Sequence, residues 1–328
     1  PGDSREYGEY VMITEGPLGA LSCGGTLIAE RVVLTAAHCV CKVGSEELRD
    51  SSGANVFQGN LRLNTTSGMP ISSDSSSAVR KWIRHPKYDH ANITNDVALV
   101  FLEDDLPGPF ATLPEIGSQD PQIGDKIKVV GLGRNNNYIV PSKAPGIFIA
   151  AQSPVLYEVG LVVGDPNQIP CRNAEDFESE TEICYVGEKF NLNEAAVAVN
   201  GNTNPGIMGT CAGDSGGPSF DENGVQIGIV SYGSLSCYIS FNYPVSIHTN
   251  IRKYLCWICM SFAEETGTAL LQACDCNPHH TINGKGETVS KDSLQPGQEE
   301  IEQLVSVALN PSVFVSFILM FVLMVWMR

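Results

Sequence analysis

Up to about residue 250 the apolar residues of this chain fall in short runs, at 26–28, 32–34, 97–102, 127–130 and 225–231. These runs are rich in Val and Ile and bounded by Gly, Pro, Asn or Ser, which is how strands read. Few stretches before Asn250 show a helical period. Many short strands with frequent turns restrict the chain to a barrel or a sandwich. No repeat recurs at a fixed period, which excludes a solenoid or a propeller. Residues 64–78 (NTTSGMPISSDSSSA) read as a polar, Ser-rich loop and 191–208 as a second polar loop. From Asn250 the texture changes, and residues 251–274 read as one or two amphipathic helices.

With 328 residues, 43% hydrophobic and 17% charged, the chain is long enough for a sizeable core and globular in composition. A formal net charge of −17 sets it against phosphate backbones, so nucleic acid is not an expected partner. Acidic clusters at 46–47, 103–105 and 175–182 read as solvated loop faces, because none has the alternating oxygen spacing of a calcium loop. Eleven cysteines suggest disulfides if the protein is exported. The sequons at Asn64 and Asn92 favour export and are candidate glycosylation sites. The chain opens on Pro1 without a basic or apolar leader, and reads as a processed or truncated form.

Three stretches carry chemistry. GTCAGDSGGP (209–218) sets an acid and a hydroxyl among glycines, a turn whose amides can point at a ligand. LTAAHCV (34–40) places His38 after a strand and small alanines. NDVALVFL (95–102) places Asp96 at the head of an apolar strand, where the core begins. A serine hydroxyl needs a base to become a nucleophile at neutral pH, and histidine has the suitable pKa. The histidine needs a buried carboxylate to hold its tautomer. The developing oxyanion needs amide donors.

In this order, His38, Asp96, Ser215, the three motifs resemble those of the trypsin/chymotrypsin-like serine proteases. The resemblance extends to CGGTLI (23–28), RHPKYD (84–89), SYG (231–233) and YLCWI (254–258), and spans about residues 5–260. It implies an all-β fold: two Greek-key antiparallel barrels with the active site between them, and a C-terminal helix. It implies a serine endopeptidase in which Ser215 is the nucleophile, His38 the base and then the acid, and Asp96 the orienter. The amides of Gly213 and Ser215 would form the oxyanion hole. Asp214 would pair with an α-ammonium released by zymogen cleavage, although no IVGG-like segment precedes residues 6–8. Gly-Leu-Gly at 131–133 replaces the family's GWG. Family disulfides imply Cys23–Cys39, Cys171–Cys184 and Cys211–Cys237. The substrate-binding positions implied are Gly209, Thr210, Ser231, Gly233 and Val245 or Ser246. None is acidic, so cleavage after uncharged residues is expected, apolar ones first.

Five cysteines lie outside these pairs: Cys41, Cys256, Cys259, Cys274 and Cys276. The last four spell CxxC…CxC and are read as disulfides, with zinc as the alternative. No cofactor or metal is expected. The organisation expected is a protease domain at 1–258, a cysteine-containing polar tail at 259–303 and a hydrophobic segment at 304–328. Residues 304–327 carry no charge. As a helix they reach about 36 Å, enough for a hydrocarbon core of about 30 Å. The expectation is an extracellular or cell-surface protein that acts on protein or peptide substrates. It would be tethered by a spanning helix or, after processing, by a lipid anchor. Two rivals remain: a catalytically silent binding module of the same fold, and a hydrolase of esters or other acyl groups.

Overall fold

The computed structural model describes residues 7–15, 20–141, 148–174, 176–187, 209–233, 245–270, 280–282 and 288–290. Strands β1 (Tyr10–Glu15), β2 (Ala20–Ala29), β3 (Val32–Thr35) and β4 (Asn55–Gln58) come first, with the short helix α1 (Ala37–Val40) after β3. A small hairpin follows, β5 (Arg62–Leu63) and β6 (Pro70–Ser72), and then β7 (Ser75–Arg84) and β8 (Ala98–Leu102). These strands close a barrel in the order β1-β2-β3-β8-β7-β4, with β5 and β6 paired apart from it.

The second half holds β9 (Lys126–Gly131), the hairpin β10 (Arg134–Pro141) and β11 (Phe148–Gln152), β12 (Tyr157–Val163), β13 (Glu182–Gly187), β14 (Pro218–Phe220), β15 (Gln226–Gly233) and β16 (Val245–Asn250). A second barrel closes in the order β12-β13-β16-β15-β14-β9. The fold is thus two closed six-stranded antiparallel barrels. Both barrels and the helix that follows lie in one compact unit, residues 1–275. A second unit, 276–328, contains the pair β17 (His280–Ile282) and β18 (Thr288–Ser290) among its described residues.

Alternation explains the first barrel. Val11, Ile13, Leu27, Val33, Val56, Val79, Val100 and Leu102 point inward into one cluster. Strand β8 is buried throughout, because Leu99 and Phe101 face a second cluster on its other side. That is why 97–102 reads as an unbroken apolar run. Ile127, Val129, Leu161, Val163, Ile183, Tyr185 and Val230 fill the second barrel.

The helix α2 (Leu255–Thr266) follows a 3-10 turn and buries Leu255, Ile258 and Phe262, spaced three and four apart, against Val97, Leu99 and Ile229. Each such burial contributes about 1.5–3 kcal/mol. Gly267, at φ +70°, ends the helix with its amide on the Ala263 carbonyl. The helix runs past residue 258, and Leu270 still packs in the same cluster. His85 lies edge-on to both Tyr254 and Trp257 and ties the first barrel to this helix.

Two sequence expectations need correction. Within the Ser-rich stretch 64–78, residues 70–72 are strand paired with β5 and residues 75–78 are strand paired with β4. Ser77 occupies an inward position and keeps its hydroxyl satisfied by accepting from the Asp104 amide at 2.9 Å. Its polarity therefore hid a regular alternation. In the acidic stretch 175–182, Glu182 is not a solvated face: it is 5% exposed at the start of β13. Its carboxylate accepts from the Glu178 amide at 2.9 Å and the Tyr232 hydroxyl at 3.0 Å. Burial, against these hydrogen bonds, pushes its pKa up to about 8. The loop at 191–208 lies outside the described residues, as do 271–279 and 291–328.

Candidate active site

His38 lies on α1, directly after β3, where the fully buried Ala36 and Ala37 let the turn press against the barrel. Asp96 heads β8, the neighbour of β3. The short turn therefore delivers the histidine to the carboxylate. The His38 Nδ1 and Asp96 Oδ2 are 2.7 Å apart, and the His38 amide donates to Oδ1 at 2.8 Å. The second barrel supplies the rest of the clamp. The Ser231 hydroxyl donates to Oδ2 at 2.5 Å, and the Thr249 hydroxyl donates to the Asp96 carbonyl at 2.8 Å. Burial by itself would raise the Asp96 pKa. The facing His38 and the bonds from His38 and Ser231 outweigh it and hold the carboxyl below its ordinary value. Burial likewise opposes charge on His38, but Asp96 wins and raises its pKa. The ring keeps a quarter of its surface open, with 26% of the side chain exposed.

The glycine-rich turn is docked from both sides. Gly24 on β2 donates its amide to the Ser215 carbonyl at 2.8 Å, and the Gly216 amide donates to the Val230 carbonyl at 2.8 Å. Gly216 has φ +77°, and a Cβ there would meet Thr35 Oγ1 at 2.2 Å and the Gly24 carbonyl at 2.5 Å. Only glycine lets the turn come this close to the strand and to Cys39, the neighbour of His38. The turn closes on itself through Asp214 N to the Cys211 carbonyl and Gly217 N to the Asp214 carbonyl, each 2.9 Å. The amides of Gly213 and Ser215 donate to no acceptor among the described residues.

Asp214 accepts two backbone amides, Gly133 on Oδ1 and Cys211 on Oδ2, both at 2.8 Å. A Cβ at Gly133 would meet its carboxyl carbon at 2.5 Å, so the Gly-Leu-Gly segment makes room for the acid. Burial, opposed by these two amides, raises its pKa to about 6.

Cys23 is joined to Cys39 and Cys171 to Cys184. The sulfurs of the first pair cluster with a ring nitrogen of His38, but they are bonded to each other and offer no thiolate to a metal. Cys211 and Cys259 are also disulfide-bonded, whereas Cys41 and Cys256 are free and buried, so the disulfide reading of Cys256 is corrected. Burial pushes the Cys41 thiol up to about 11. Cys237, Cys274 and Cys276 lie outside the described residues. Asn64 and Asn92 are both exposed on turns.

Of the implied substrate positions, Gly209, Thr210 and Val245 are half-buried, Gly233 is exposed and Ser246 is buried. Ser231 sits at a bulge of β15 and commits its hydroxyl to Asp96 rather than to a pocket. The sequence reading missed His248 and Ser219, which continue from Thr210 and Ser246 into the second barrel. The polar residues at alternate positions of VSIHTN in β16 were the available signal.

Two closed six-stranded antiparallel barrels, with His38 and Asp96 paired between them, define the class of fold. The family profile described as Trypsin matches residues 3–258. Chymotrypsin of Phaedon cochleariae is 31% identical over 242 residues, covering 72% of this chain and 71% of that protein. Cathepsin G of Mus musculus is 32% identical over 262 residues, covering 78% and 80%. Chymase of Papio hamadryas is 30% identical over 260 residues, covering 78% and 85%. The chain belongs to the trypsin family of serine endopeptidases.

Proposed function

We propose that the chain cleaves peptide bonds through an acyl-enzyme, with Ser215 as nucleophile, His38 as base and Asp96 as orienter. The Ser215 Oγ adds to the scissile carbonyl while His38 takes its proton. The oxyanion is held by the Gly213 and Ser215 amides. The tetrahedral adduct collapses as His38 returns the proton to the leaving amine, and water repeats the sequence to free the acid. The observation that carries this reading is the His38–Asp96–Ser231 cluster beside a docked turn whose Gly213 and Ser215 amides donate to no acceptor among the described residues. Labelling by an active-site serine phosphonate tests it: wild type is expected to label and Ser215→Ala not, and equal labelling of both would overturn it.

Cleavage after uncharged residues belongs to the same proposal. Gly209, Thr210, Gly233, Val245 and Ser246 carry no charge, and a buried P1 cation without a partner is costly. Asp214 supports a second state of the same protein. Its carboxylate, which among the described residues accepts two backbone amides, is where an α-ammonium from a cleaved precursor would bind. Until then the protein would be a silent module of protease fold. The Cys211–Cys237 pairing, glycans at Asn64 and Asn92, and a membrane tether through residues 304–328 complete the reading, with the protease domain at 1–258 and a linking tail at 259–303. No described helix is long and apolar enough to cross a membrane; the tether rests on the uncharged run at 304–327, outside the described residues. Expression with and without 304–328, followed by fractionation, separates tethered from free protein.

A further inference from the structure

Strand β16 places Ser246 and His248 two residues apart, on one face, and both are buried. His248 is fully buried, with its ring edge-on to Tyr185 at a centroid distance of 4.7 Å. Both of its nitrogens are engaged: Nε2 with Ser246 Oγ at 2.8 Å, and Nδ1 with Ser219 Oγ at 3.1 Å. Ser246 Oγ lies 2.5 Å from Thr210 Oγ1. Four side chains thus form one continuous chain from the barrel interior at Ser219 to the half-buried Thr210. The bond-breaking chemistry of His38, Asp96 and Ser215 makes no use of it.

Burial lowers the His248 pKa to about 3, so the imidazole is neutral at any working pH. A neutral imidazole has one N–H and one lone pair. If Nδ1 donates to Ser219, Nε2 accepts from Ser246, which accepts from Thr210, and the Thr210 oxygen is left as an acceptor. In the other tautomer every bond reverses and the Thr210 O–H is left as a donor. The chain therefore ends at Thr210 in a hydrogen-bonding group of definite sign. A primary amide or a hydroxyl carries both a donor and an acceptor and pairs with it either way. An ammonium or guanidinium brings donors and a charge that neither Thr210 nor Ser246 neutralises. A carboxylate brings only acceptors and meets no cation on these residues.

We propose that His248 is a positioning residue for specificity. Through Ser246 and Thr210 it gives the P1 pocket a hydrogen-bonding end, which selects uncharged side chains tipped by an amide or a hydroxyl over apolar side chains of the same size. This rests on the reading above of an uncharged pocket and replaces the apolar-first order expected from the sequence: among uncharged residues, the polar-tipped members are taken first. A site built to bond a polar group discriminates strongly against the analogue that lacks it, because its own group is then left unpaired.

The test is a set of peptide substrates of the active enzyme differing only at P1, in the near-isosteric pairs Tyr/Phe and Gln/Met. Wild type is expected to favour the polar member by about tenfold in kcat/KM. His248→Phe keeps a ring and removes both nitrogens, and is expected to bring the ratio close to one. His248→Gln retains a group able to bond Ser246 and is expected to restore part of the ratio, which a merely structural role of the ring would not produce. Should His248→Phe fail to fold, Ser246→Ala interrupts the same chain one link from Thr210 and is expected to lower the ratio likewise. A wild-type ratio near one, or a ratio unchanged in Ser246→Ala, overturns the inference alone. Wild-type turnover no greater than that of Ser215→Ala overturns the protease reading and this inference with it.

Discussion

Asp96 and Asp214 are two carboxylates of one site with opposite fates. Asp96 sits where the barrels meet and draws partners from both: a histidine from the first, two hydroxyls from the second. Asp214 sits inside its own turn and, among the described residues, accepts hydrogen bonds from two backbone amides. The first is held below its ordinary pKa and the second is raised to about 6. Burial acts on both in the same direction, so the difference comes from the partner. A facing histidine outweighs desolvation, while two amides do not. Asp96 is therefore held as an anion, and Asp214 is the acid more easily protonated.

The largest expected effect breaks the comparison on the Asp96 side. Asp96→Asn keeps the size of the side chain but lets His38 adopt the wrong tautomer. It is expected to lower kcat by about 10⁴-fold, measured on a peptide substrate, with the two-barrel fold intact by circular dichroism.

Next, Asp214→Asn removes the anchor that closes the turn presenting the Gly213 and Ser215 amides. Misplacing an oxyanion donor costs about 10²–10³-fold in kcat, and a loss in that range is expected. An activity within a few-fold of wild type would show that the turn holds its shape without the acid.

Stability against pH sharpens the contrast. Asp214 has a folded pKa above its unfolded value, so its ionisation opposes folding. That cost is absent below the unfolded value of about 4 and is fully present above about 6. Asp96, held low, contributes stability above its unfolded value and loses it as pH falls through the folded one. His38, raised, contributes below its unfolded value of about 6.5 and loses it as pH rises through the folded one. Urea midpoints of wild type and Asp214→Asn between pH 3.5 and 8 are expected to diverge with rising pH, by no more than about 3 kcal/mol. Parallel curves would place the Asp214 pKa at its ordinary value.

The smallest effect is expected from Ser231→Ala, which removes one donor to Asp96 and leaves His38 in place. A hydrogen bond to a charged group contributes about 1.5–3 kcal/mol. With the histidine still bound, the loss in kcat/KM is expected to be about tenfold, far below that of Asp96→Asn. It should come with an acid limb of the pH–rate profile still above 6.5, as the raised His38 pKa requires.

The motifs that point to the proposed site were legible because they are local. The nucleophile turn, the histidine after small alanines and the acid at a strand head are each contiguous stretches, and their residue types follow from the chemistry of a hydroxyl nucleophile. The apolar runs that read as strands are strands, since each must be buried on at least one face. The Ser-rich residues 75–78 misled, because a serine such as Ser77 can take an inward position when an amide satisfies it. Glu182 misled for a similar reason: its partners, Glu178 and Tyr232, include a residue 50 positions away.

The sequence by itself determined the apolar strand runs and an all-β fold, since each run follows from side-chain chemistry over a few residues. Only the tertiary structure decided which distant side chains meet. Ser231 reaches Asp96 across 135 positions, Gly133 reaches Asp214 across 81, and His248 joins Ser246 to Ser219. These are contacts made by closing and apposing two barrels. Buried hydrogen-bonding capacity must be satisfied by whatever the fold brings within about 3 Å, and separation along the chain does not enter into it.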